Sequence, residues 1–160
     1  METKCRLCTF HLDHLWFGIA VERVQEVMSA PSITPVPLAP RGVAGRVNLR
    51  GQIVTVIDLW RRLGFRERPA AGLPAMVMVR SENTVVGLLV DEIGEVVEAP
   101  AEAFEAAPAN LPLESQGLVP RVCKFPRRLL HALDLDKVLR SDGEEAQSGK
   151  ALKEVEHCAD

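Results

Sequence analysis

The sequence predicts a mostly β fold of the barrel or sandwich class, on three observations. Short apolar runs rich in β-branched residues recur along the chain, each bounded by turn residues. Prolines at positions 31, 35, 37 and 40, and again at 100, 108 and 112, break any long helical period. The helical patterns are brief and sit at strand ends.

Taken in order, Cys5 to Leu12 and Leu15 to Ala20 read as a hairpin around Asp13-His14. Val21 to Val27 is short and polar on one side, which fits a single helical turn or a strand bend. The proline cluster that follows makes an extended connector, because proline lacks the N–H a central strand needs. Two strands then flank Asn48-Leu49-Arg50-Gly51, and Leu59 to Leu63 forms a short helical cap. Arg66 to Pro74, rich in Pro, Gly and Ala, reads as a linker. Beyond it, Ala75 to Val79, Val85 to Val90 and Glu95 to Glu98 are strands, with a turn at Glu82-Asn83. Pro100 to Pro112 is expected to be a loop or one frayed helical turn. Leu118 to Cys123 and Leu129 to Leu135 make a final hairpin with Phe125-Pro126 near its turn, and Leu135 to Leu139 starts a helix. Ser141 to Asp160 is polar and is expected to be a mobile tail.

Composition narrows the class of function. A chain of 160 residues fits one ordinary domain, or one domain made of two small halves. No apolar run reaches the roughly 20 residues that cross a bilayer, and METKCRLCTF lacks the features of a secretory signal. A cytoplasmic protein is expected, with Cys5, Cys8, Cys123 and Cys158 reduced. The net charge of −3 argues against bulk nucleic-acid affinity. Its distribution is uneven: seven arginines lie between Arg41 and Arg68, and seven acids without a Lys or Arg between Asp91 and Glu114. Such a split can steer different partners to different faces, or one copy to another.

The stretch GRVNLRGQIVTVIDLWRRL (Gly45 to Leu63) carries the sharpest signal. Gly51 takes a positive φ cheaply and Asn48 can bond its own backbone, so the turn between the strands presents Arg50 at a fixed position. A planar, permanently charged fork there suits a carboxylate or carbonyl groups of a partner. The structural alternative has Arg50 closing its own hairpin by pairing with Asp58 or a main-chain carbonyl.

Other classes of function find less support. The chain contains no P-loop, no nucleophile elbow, no zinc-protease helix and no triad set, so it is expected not to be an enzyme and to need no cofactor. Cys5, Cys8, His11 and His14 recur every three residues, which raises a metal or redox site. On a strand, i and i+3 face opposite ways, so the four converge only if this segment is not a strand. Arginines interleaved with Trp60 and Phe65 raise nucleic-acid binding, which the acidic second half opposes.

Four segments in order resemble the CheW family of chemotaxis coupling proteins. FGIAVERVQEV (Phe17 to Val27) is similar to the family's aromatic-Gly-Ile strand followed by V-x-E-I/V. VNLRGQIVTVIDL is similar to its N-L-R-G-x-I-V-P-V-x-D-L signature. VVGLLVDEIGEVV (Val85 to Val97) looks like its V-G-x-x-V-D-x-V-x-x-V, and LLHALDLDKVL (Leu129 to Leu139) like its closing strand and helix. The resemblance runs from about Cys5 to Leu139. Departures are Thr55 in place of proline, Trp60 in place of a polar or basic residue, and Lys124-Phe125-Pro126 at the last turn. Trp60 is then either an exposed aromatic or part of the core between the halves.

The resemblance implies two small SH3-like five-stranded β-barrels sharing an apolar core, with short helices. It implies a single CheW-like domain over 1–140, with approximate halves 13–70 and 75–135. It implies a non-catalytic adaptor that couples chemoreceptors (methyl-accepting chemotaxis proteins) to the regulatory domain of a CheA-type histidine kinase. Such a protein is recruited to receptor clusters at the inner face of the membrane, without inserting, and self-associates weakly in arrays. A related reading is a scaffold of a non-flagellar chemosensory pathway serving surface motility, biofilm or development. Carried over by position, the receptor-binding residues are Val24, Glu26, Val27, Gly45, Asn48, Leu49, Arg50, Gly51, Val86 and Val90. Met76, Val77, Met78 and Val79 are assigned to the kinase contact.

Overall fold

A computed structural model describes residues 3–39, 42–65 and 73–140. Eleven strands and three short helices occupy them: β1 (Lys4–Leu12), β2 (Leu15–Ala20), β3 (Val24–Ser29), β4 (Val43–Leu49), β5 (Gln52–Asp58), α1 (Leu59–Arg62), β6 (Ala75–Ser81), β7 (Thr84–Val90), β8 (Glu92–Pro100), β9 (Phe104–Ala106), α2 (Leu113–Gln116), β10 (Arg121–Phe125), β11 (Arg128–Ala132) and α3 (Leu135–Leu139). The strands form two sheets, ordered β8-β1-β2-β11-β10-β9 and β3-β6-β7-β5-β4.

Each sheet returns on itself. In the first, β8 and β9 stand at opposite edges yet are joined by the 3₁₀ turn Ala101–Ala103, so one bent stretch of chain supplies both edges. Counted as one bent strand, β8 and β9 leave five strands in barrel A. In the second sheet, Thr34 just beyond β3 exchanges two backbone hydrogen bonds of 2.8 Å with Arg46 in β4, linking the two edge strands of barrel B. Gly45 permits that seam: its φ is +152°, and a Cβ there would collide with the Thr34 carbonyl.

Alternation along the strands builds three cores. Val47, Val54, Val56, Met76, Met78 and Leu89 fill barrel B. Leu7, Trp16, Ala99, Cys123 and Leu130 fill barrel A. Phe10, Leu12, Phe17 and Ile19 from one barrel meet Ile57, Val77, Val79 and Leu88 from the other in a shared core. Trp60 is 6% exposed and belongs to this shared core, which decides between its two sequence readings. Strands buried on both faces read as continuous apolar runs, and that is how β2, β6 and β7 read.

Several boundaries differ from the sequence expectation. The halves 13–70 and 75–135 do not match the barrels: β6 and β7 join β3–β5 in barrel B, while β2 lies in barrel A beside β11. Hydropathy marks strands but not partners, and the parallel pairs β5–β7 and β2–β11 are crossovers with no local signal. A strand, β9, lies inside the segment expected to be loop, where Phe104 pairs with Cys123. The last hairpin starts later than Leu118, because Pro120 has no N–H to donate and the strand begins at Arg121. The linker and tail expectations fall mostly (66–72) and wholly (141–160) outside the described residues.

Candidate functional site

Leu49 and Gln52 pair across the β4–β5 hairpin, leaving the two-residue loop Arg50-Gly51 with φ of +53° and +82°. Two positive φ angles give the turn the handedness that suits twisted strands, and Gly51 accepts this freely. Arg50 does not. A non-glycine side chain in the left-handed region costs roughly 1–2 kcal/mol.

The guanidinium that this strained residue carries reaches across the barrel seam to β3. Its Nη1 donates to Glu26 Oε1 at 3.0 Å and its Nη2 to Glu26 Oε2 at 3.2 Å, a two-pronged pair. A bulge between Val24 and Glu26, where the pairing to β6 shifts by one residue, re-aims Glu26. Arg50 keeps 78% of its side chain exposed and Glu26 32%. An exposed pair contributes about 0.2–1 kcal/mol, less than the turn costs, so stability does not account for the arrangement. What it does achieve is to hold a cation and an anion at fixed, accessible positions. The Asp58 alternative for Arg50 is replaced by Glu26; Asp58 instead caps α1 through the Trp60 N–H at 3.0 Å.

The apolar surroundings follow from strand register. Val24, Val79, Val86 and Thr55 lie opposite one another across β3, β6, β7 and β5. Val79 is buried in the shared core, while Val24 and Val86 are half-buried at its margin and Thr55 is exposed. Val27 (43% exposed) and Ile53 (65%) sit on the two strands that carry Glu26 and the Arg50 turn. Sequence reasoning passed over Ile53. The signal was present: Val54 and Val56 face inward, so Ile53 is an apolar residue on the outer side of its strand.

The structure thus brings together Glu26, Arg50 and Gly51, with Asn48 exposed and Leu49 half-buried in the same hairpin. Gly45 and Val90 stand apart from this surface; Gly45 is buried under Thr34, and Val90 lies in the shared core. Met76 and Met78 point into barrel B and Val77 and Val79 into the shared core, all at most 2% exposed. Burial takes those four side chains out of reach of a partner.

The cysteine-histidine reading gains no support. Cys5, Cys8 and His11 lie on one strand, His14 lies in the turn against Asp13, and no group of three metal-ligating residues converges among the described residues. Burial raises the Cys8 and Cys123 thiols above their usual range, which makes them poor thiolates. No described helix is long and apolar enough to cross a membrane.

Comparison with known proteins identifies the architecture. A family model described as CheW-like domain matches residues 6–143. The chain is 27% identical over 148 residues to Chemotaxis protein CheW of Bacillus subtilis, covering 92% of this chain and 94% of that one. It is 30% identical over 135 residues to Chemotaxis protein CheW of Thermotoga maritima, covering 82% and 85%. The scaffolding protein TtCheW from Thermoanaerobacter tengcongensis superposes with a TM-score of 0.78 at 26% identity, covering 89% of this chain and 97% of that crystal structure's chain. Two closed barrels, a shared core and these matches together show that the chain belongs to the CheW-like domain family of non-catalytic chemotaxis scaffolds.

Proposed function

We propose that this protein is an adaptor coupling the cytoplasmic tip of chemoreceptors to the regulatory domain of a CheA-type histidine kinase. It acts at receptor clusters on the inner face of the membrane. The observation that carries the reading is the Glu26–Arg50 fork, held exposed at a strained turn that its own stability does not repay. A receptor tip is a helical hairpin, and such a partner docks by a few apolar anchors with polar groups fixing register. Val24, Val27, Val86 and Ile53 supply apolar contact; Glu26, Arg50 and Asn48 supply the polar rim. Micromolar affinity, about −8 kcal/mol, suffices when clustered receptors multiply weak contacts. Because β6 is buried, a kinase contact in barrel B would use exposed neighbours such as Arg80 and the Glu82-Asn83 turn.

Binding of the purified chain to each partner from the same organism tests the reading. Saturable binding to both, with Arg50→Ala losing the receptor tip and keeping the kinase domain, is the expected result. A folded protein that binds neither would overturn it.

A further inference from the structure

Barrel B passes into barrel A through a single residue. Val90 ends β7, Glu92 begins β8, and Asp91 lies between them. Its backbone N–H donates to the His11 carbonyl at 3.0 Å. One carboxylate oxygen accepts from the indole Nε1–H of Trp60 at 2.8 Å, and the other from the backbone N–H of Asp13 at 2.6 Å. Trp60 sits on α1, directly after β5 of barrel B, and Asp13 sits in the β1–β2 turn of barrel A. One carboxylate therefore holds an element of each barrel, at the point where the chain crosses between them.

The rest of the junction is mainly apolar. Phe10, Phe17, Val77, Val79 and Leu88 oppose separation of the barrels, but apolar burial is non-directional and resists sliding or rotation only weakly. Hydrogen bonds to an ionised acceptor are short, strong and directional. Packed layers that slide by small amounts are a recurrent way for proteins to change shape, so a directional tie at a one-residue crossing has leverage over the angle. Further ties lie elsewhere on the junction: Arg23 donates to Asp136 at 2.9 Å and to the Arg80 carbonyl, Arg62 of α1 donates to carbonyls at the end of α3, and the Ser115 hydroxyl donates to the Leu63 carbonyl. Together with Asp91 these ties define an orientation that none of them defines alone.

We propose that Asp91 is a positioning residue that sets the angle between the two barrels, and through it the placement of the Glu26–Arg50 site relative to surfaces on barrel A. The geometric part stands by itself; its consequence for coupling two partners rests on the adaptor reading.

Distances between nitroxide labels on the full chain test it. Labels at Asn83→Cys, in the β6–β7 turn, and Glu102→Cys, in the turn between β8 and β9, are exposed and sit on different barrels. Cys158→Ser removes one native thiol, and Cys5, Cys8 and Cys123 are buried. Asp91→Asn is nearly isosteric and keeps an acceptor for Trp60, but it turns an amide donor toward the Asp13 N–H. Trp60→Phe removes the hydrogen bond from α1 to Asp91. In each variant the distance distribution is expected to shift and broaden, with the circular dichroism spectrum unchanged. Unchanged distributions in both variants would overturn the proposal.

Asp91→Asn is further expected to keep receptor-tip binding and lose simultaneous binding of tip and kinase domain. Equal loss of single and simultaneous binding would also refute a positioning role. Failure of the unmodified chain to bind either partner would refute the adaptor reading while leaving the label distances to judge the positioning role of Asp91.

Discussion

Arg50 holds a conformation that opposes folding and a contact that barely favours it. Replacing it by alanine is expected to change the thermal midpoint by no more than the loss of an exposed pair, less than about 1 kcal/mol. At roughly 2–4 °C per kcal/mol for a chain of this size, that is a shift of a few degrees. Arg50→Asn, better suited to a positive φ, is expected to raise the midpoint while abolishing receptor-tip binding. A large fall in the midpoint with either variant would make Arg50 a structural residue. Asp134 invites a pH test. It is 1% exposed, caps α3 through the Lys137 N–H at 3.3 Å, and its second oxygen has no partner among the described residues. Burial pushes its carboxyl above the usual carboxylate range, opposed by the α3 backbone and Lys137. The native state therefore holds the proton more tightly than the unfolded chain. The stability this confers is complete below the unfolded pKa and is lost as pH rises through the native one. Asp134→Asn, which keeps a cap, is expected to flatten that loss in midpoint-against-pH measurements. The sequence showed Arg50 well, because the hairpin turn is local. Its partner Glu26 lies 24 positions away and meets it only once the barrel closes.

Strands and turns were legible where their chemistry is local. Both flanks of the Asp13-His14, Arg50-Gly51 and Glu82-Asn83 turns could be read from alternation and turn residues, and they fold as hairpins. The elements that escaped depend on distant chain: β9 exists because Cys123 and its neighbours complete its ladder. Gly45 shows the same limit. It belongs to the motif that suggested receptor contact, yet its immediate role is to let the Thr34–Arg46 bridge close barrel B. Gly45→Ala combines a collision with backbone and an unfavourable φ. It is expected to lower the midpoint by the equivalent of about 1–3 kcal/mol and to open the seam. Faster hydrogen exchange at the Thr34 and Arg46 amides would report that opening, and protected amides would refute it.

At the scale of the molecule, one side chain fixes the end of the last described helix. Arg62 donates from Nε to the Val138 carbonyl at 3.1 Å, and from Nη2 to those of Lys137 at 3.1 Å and Arg140 at 2.9 Å, satisfying the end of α3. Removing 141–160 is therefore expected to leave the thermal midpoint and both binding activities unchanged, and a lowered midpoint would contradict this. Barrel A takes β1 and β2 from one end of the chain and β8 to β11 from the other, with all of barrel B between. On the ribosome, Phe10, Leu12, Phe17 and Ile19 emerge first and their partners β8 and β11 last. At bacterial synthesis rates the wait is on the order of ten seconds. Barrel B can assemble meanwhile, but it leaves its outward valines bare until barrel A covers them. The nested order of strands thus gives the newborn protein an interval of exposed, strand-forming surface, and makes it a natural client for chaperones that hold apolar segments apart.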